Sequence, residues 1–109
     1  MSRRDVLPVR QMLDYAREAL TISQDRQRAD LDNDRLLDLA LTRLLEIIGE
    51  AANRVPEEIQ EAHPEIAWGQ IISLRNRLIH GYDSIDFDIL WAIVKNDLPE
   101  LIKNLEKIA

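Results

Sequence analysis

The sequence predicts an all-α fold, an antiparallel bundle of four to five helices, on three observations. Apolar residues recur at helical spacing over long stretches, and no stretch alternates as a half-buried strand would. Of 109 residues only 3 are Gly and 4 Pro, with 46% hydrophobic and 31% charged, a composition that favours a packed helical domain over disorder or strands. The stretches are joined by short connectors, which lay successive helices side by side. The length suits one core, so residues 1–109 read as a single domain.

Pro8 suits a first helical turn, and Val9, Met12, Leu13, Ala16, Ala19 and Leu20 follow at helical spacing, which predicts a first helix over Pro8 to Ser23. Gln24 to Asp34 is polar and rich in Asp and Arg, a connector with freedom to move whose last acids suit a helix N-terminus. The second helix, Asp32 to Arg54, carries Leu36, Leu37, Ala40, Leu41, Leu44, Leu45, Ile47, Ile48, Ala51, Ala52 and Val55 within a half-circle at about 100° per residue. It is the main core helix. Gly49 lies outside that arc, and a glycine there costs about 1 kcal/mol relative to alanine. Either another backbone approaches it closely or the glycine is merely tolerated.

Pro56 opens a short turn through Ile59, Pro64 stops it, and a third helix runs from Trp68 to His80. Gly81 ends it, Asp83, Ser84 and Asp86 form a turn, and Asp86 caps a fourth helix from Phe87. The apolar residues of that helix continue past Pro99 to Ile108, so Pro99 either kinks it or starts a fifth. Trp68 and Trp91 fall at helical positions and read as core or interface anchors.

Projecting the third helix places Ile71, Ile72, Leu74, Leu78, Ile79 and Tyr82 on one apolar arc with Arg75 inside it. A guanidinium keeps its charge, so Arg75 must face a carboxylate, a phosphate site or a subunit interface, and Glu46 or Glu50 of the second helix are the available carboxylates. His80 lies about 140° around a straight helix from Arg75. Unwinding at Gly81, or a second copy across a two-fold, would be needed to bring the two together.

Several classes are disfavoured. A net charge of −6 argues against a protein that coats nucleic acid non-specifically, which needs clustered Lys and Arg. Cations gather locally instead, as Arg75 and Arg77, with Arg43 and Arg54 earlier. Without cysteine there is no disulfide framework, thiolate metal site or cysteine nucleophile, and a cytoplasmic protein is the simplest expectation. MSRRDVLPVR holds no apolar stretch of signal-peptide length, and no membrane span is expected. His63 reads as a surface residue. Asp83, Asp86 and Asp88 lack the glycine and distal glutamate of a calcium loop, and no metal or cofactor is expected.

Arg75-Asn76-Arg77-Leu78-Ile79-His80-Gly81-Tyr82 resembles the signature of the HEPN superfamily in its HepT form, an arginine and a polar residue followed by His-x-Tyr. Ile47-Ile48-Gly49-Glu50-Ala51, Pro64 to Trp68, Ile85-Asp86 and Trp91 with Asn96 to Leu101 resemble further blocks of that family in the same order. The likeness spans Leu36 to the C-terminus and is specific as a series, although Arg-x4-His alone is weak.

The resemblance implies a HEPN bundle that dimerises through the motif helix. It also implies a metal-independent endoribonuclease with Arg75 and His80 as active residues, the toxin of a toxin–antitoxin pair. Its partner would be a minimal nucleotidyltransferase of the MntA type, which neutralises it by transferring AMP to Tyr82. RNA supplies its own nucleophile, so cleavage needs proton transfer and stabilisation of charge. Histidine, with a usual pKa of about 6.5, suits the first and arginine the second. Asn76 orients the site and Arg77 steers RNA, or both are solvated helix-face residues. The rival readings are a non-catalytic HEPN subunit of a nucleotidyltransferase complex, and a structural dimer in which Arg75 completes a buried ion-pair network.

Overall fold

The computed structural model describes residues 3–79 and 84–109. Helix α1 spans Arg3–Ser23 and begins earlier than the first proline suggested. Pro8 is its sixth residue, where the missing N–H forfeits the bond to the Arg4 carbonyl. Val9, Met12, Leu13, Ala16 and Ala19 form its buried face.

The connector after α1 is built, contrary to the freedom its polarity implied. A short helix, α2 (Asp30–Asn33), buries Leu31. Arg26 reaches Asp34 at 2.7 Å and Asp30 at 3.4 Å. Arg28 pairs with Asp32 at 3.0 Å and with Asp88 at 2.6 Å, and its guanidinium lies over the Phe87 ring.

Asp34 is extended and accepts a hydrogen bond from the Leu37 N–H, so α3 runs Arg35–Asn53 rather than from Asp32. A capping carboxylate satisfies an N–H that the helix cannot. Leu37, Leu41, Leu44, Leu45, Ile48, Ala51 and Ala52 are buried, whereas Leu36, assigned to the same arc, is 78% exposed. Helix α3 packs chiefly against α1, and α1 in turn against the C-terminal helix.

After Pro56, α4 (Glu57–Ala62) buries Ile59. The third long helix is in fact two short ones, α5 (Trp68–Ile72) and α6 (Leu74–Leu78), kinked at Ser73. The Ser73 N–H still reaches the Gly69 carbonyl and the Arg77 N–H reaches that of Ser73 across the break. Trp68 is a core residue whose indole N–H donates to the His63 carbonyl at 3.0 Å.

Asp86 caps α7 (Phe87–Ala92) by accepting from the Ile89 N–H. A π-turn over Ile93–Asp97 leads into α8 (Leu98–Glu106) with Pro99 in its first turn. A proline ring crowds the carbonyl four residues back, here that of Lys95, and the wider π-turn falls at that point. Lys95 donates to the Ser23 carbonyl at 3.0 Å and stands 4.9 Å from the half-buried Trp91 ring, tying the π-turn to α1. Among the described residues the one extended pairing is an isolated bridge between Ile79 and Ile85. Among the described residues no helix is long and apolar enough to cross a membrane.

Candidate active site

Helix α6 carries the described part of the motif. Leu74 and Leu78 are buried, four residues apart on its inner face, and this anchors the short helix on the core. The kink at Ser73 rotates α6 out of the projection of a single straight helix. Arg75 therefore leaves the apolar arc and has a side chain 75% exposed, while Ile79 is 43% exposed. The carboxylate required by an arginine in that position is Glu46 of α3, whose Oε2 lies 3.7 Å from Arg75 Nε. Within the single chain the pair is open to solvent on the arginine side.

Thr42, Glu46, Arg75, Leu78, Ile79 and Ile85 enclose a cleft of about 210 Å³. Its far wall is held by the Ile79–Ile85 bridge and by the Asp86 N–H, which donates to the Leu78 carbonyl at 2.8 Å. Ile79 is extended, so α6 ends at Leu78, short of the expected end at His80. His80, Gly81, Tyr82 and Asp83 lie outside the described residues.

Arg77 does not share this cleft. Two residues along a helix turn a side chain about 200°, and Arg77 faces the π-turn, 3.7 Å from Asp97. It borders a second cleft of about 210 Å³ with an apolar floor that includes Ile71, Leu74 and Leu98, and with Glu65 and Glu100 on its edge. Asn76 is exposed between the two arginines. Arg43 pairs with Glu50 at 3.5 Å and lines an adjoining groove with Thr42, Glu46 and Ile85, whereas Arg54 donates to Gln11 at 2.9 Å.

His63, expected at the surface, is partly buried with Nδ1 3.2 Å from Glu65. A backbone hydrogen bond, and after it His63, hold the Glu65 carboxyl below its usual range. Asp86 serves as a cap and Asp88 as the partner of Arg28. Among the described residues no three His, Asp or Glu side chains converge as a metal site.

Sequence reasoning did not find Thr42 and Ile85 as walls of the cleft, nor Arg28 as the brace on α7. The Arg28 and Asp32 spacing of four was a visible signal. The link to Asp88, sixty residues on, had none.

The family model described as "Ribonuclease HepT-like" matches residues 12–108. A Methanocaldococcus jannaschii protein named "Putative RNase" is 36% identical over 107 residues, covering 97% of this chain and 98% of its own. A second of that name from the same organism is 31% identical, over 99% of this chain and 94% of its own. A Thermococcus cleftensis protein named "Probable ribonuclease HepT" is 41% identical over 75 residues, 69% of this chain and 68% of its own. No solved structure matches the chain.

Proposed function

Because the chain belongs to the HepT-like ribonuclease family, we propose that it is a metal-independent endoribonuclease, the toxin of a two-component pair, with its chemistry at Arg75 and His80. The observation that carries this reading is the placement of Arg75: an arginine of the motif stands 75% exposed at the mouth of a cleft, held by one carboxylate. A guanidinium so placed can bind two phosphate oxygens with its terminal amino groups. In the proposed reaction the ribose 2′-oxygen attacks the adjacent phosphorus and the bond to the 5′-oxygen breaks. His80 moves the proton between these two oxygens, and Arg75 stabilises the charge on the phosphate.

The protein acts as one domain and as a homodimer in this reading. Exposure of Ile79 beside the motif supports an apolar contact there. Its partner is a minimal nucleotidyltransferase antitoxin that joins the Tyr82 oxygen to the α-phosphorus of ATP with release of pyrophosphate. The added phosphate brings negative charge and bulk next to the motif arginines and excludes RNA.

Purified protein incubated with RNA in EDTA tests the activity. Cleavage is expected from the unsubstituted chain and none from Arg75→Ala or His80→Ala of unchanged helical content. Activity that disappears in EDTA and returns with a divalent cation would contradict it. Light scattering reads the dimer. Intact mass after co-expression with the nucleotidyltransferase should rise by one or more adenylyl units mapping to Tyr82, and by none in Tyr82→Phe.

A further inference from the structure

Resting on the reading that Arg75 binds the scissile phosphate, we infer that Glu46 is its positioning residue. Four observations converge. Glu46 Oε2 approaches the Nε edge of Arg75 at 3.7 Å. Among the described residues neither terminal amino group of that guanidinium makes a hydrogen bond, so none of them occupies the fork that would grip a phosphate. The Glu46 side chain is 26% exposed against 75% for Arg75, so the partner seated on the packed helix is the carboxylate and the one to be steered is the arginine. Both lie in the same cleft, whose opposite wall is Ile79 and Ile85.

A separation of 3.7 Å is longer than a hydrogen bond, so Glu46 orients Arg75 by charge without locking it. Arginine has many rotamers to lose, and a guanidinium already turned the right way loses fewer when phosphate arrives. Glu46 therefore acts on RNA in two opposed ways. Orienting the fork raises kcat, because misplacing a charge-stabilising group is costly in the transition state. Its own negative charge repels the phosphate and raises KM. The two effects separate in substitutions, which a purely structural role would not produce.

The test is steady-state RNA cleavage by Glu46→Ala and Glu46→Gln, alone and combined with Arg75→Lys, which lacks the Nε edge. Glu46→Ala should lower kcat by about tenfold or more without raising KM. Glu46→Gln keeps the shape and loses the charge, so it should lower kcat much as Glu46→Ala does while KM stays low. In the Arg75→Lys background Glu46→Ala should change kcat by less than about twofold, since the pair it serves is gone. An unchanged kcat in Glu46→Ala, beside an Arg75→Ala that no longer cleaves, would overturn the positioning role and leave the ribonuclease reading intact. Equal losses with and without Arg75 would also overturn it, because Glu46 would then act through something else. Absence of cleavage by the unsubstituted protein would overturn both.

Discussion

Gly49 and Ile71 are in backbone contact: a Cβ on Gly49 would stand 2.8 Å from the carbonyl oxygen of Ile71. The glycine is therefore what lets α5 lie against α3, and α5 leads directly through Ser73 into the helix that presents Arg75.

Gly49→Ala consequently sets two effects against each other. Alanine gains about 1 kcal/mol of helix propensity. The clash is with a main-chain oxygen, which cannot swing aside as a side chain would, and overpacking of this kind costs about 1–3 kcal/mol. The clash outweighs the propensity, with a net loss of up to about 2 kcal/mol expected in urea denaturation, and RNA cleavage should fall as α5 and α6 shift. A neutral or stabilising alanine would show that α5 can back away.

Trp68→Phe keeps a ring in the core but removes the indole N–H that reaches the His63 carbonyl at 3.0 Å. His63 is only partly buried, so water can recover that carbonyl. The expected cost is about 1 kcal/mol for the hydrogen bond together with some lost packing. Thermal unfolding would read it, and a loss several-fold larger would mean that the ring itself is the anchor.

Acid should loosen the start of α3. The hydrogen bond from Arg26, and after it the Leu37 N–H, hold the Asp34 carboxyl below its usual value of 3.8. A depressed carboxylate contributes stability that is fully present above the unfolded value and is lost as pH falls through the lower folded one. The advantage of the unsubstituted chain over Asp34→Asn should therefore be constant from pH 7 to about 5 and shrink below about 3.8. Both Asp34 and Arg26 are solvated, so added salt should reduce it as well. Denaturation at stepped pH checks the sign, and an advantage that grew in acid would refute it.

Elements governed by neighbours in sequence were legible. The Asp86 cap needs only a carboxylate three residues before an N–H, and Gly49 raised a close approach as one of two readings because a glycine inside a long apolar helix has a cost to explain. What the sequence could not disclose came from contacts between distant segments or from a change of helical axis. The connector holding Arg26 and Arg28 reads as free until Asp88 is folded beside it. The surface position of Arg75 depends on the kink at Ser73, and periodicity assumes a straight axis. Glu46 was one of two carboxylates available to Arg75, and only packing of α6 on α3 chooses it over Glu50, which pairs with Arg43 instead.

Arg75 and Arg77 give the sharpest comparison in the motif, because they differ in surroundings and not in charge. Each is 3.7 Å from one carboxylate, Glu46 of α3 for Arg75 and Asp97 of the π-turn for Arg77, and the two border separate clefts. Truncating either removes one positive charge two residues from the other, so losses in long-range attraction of RNA should be similar and equally sensitive to salt. Any difference between the variants therefore reports local contact. If Arg75 binds the phosphate, Arg75→Ala should lower kcat/KM by about 100-fold or more, while Arg77→Ala should stay within about threefold, the range of a steering charge. Neither should cost more than about 1 kcal/mol of stability, the usual limit for an exposed pair, so denaturation midpoints separate catalytic loss from unfolding. Equal losses of cleavage in two equally stable variants would place the phosphate across both faces of α6, and the assignment to the Glu46 cleft would be wrong.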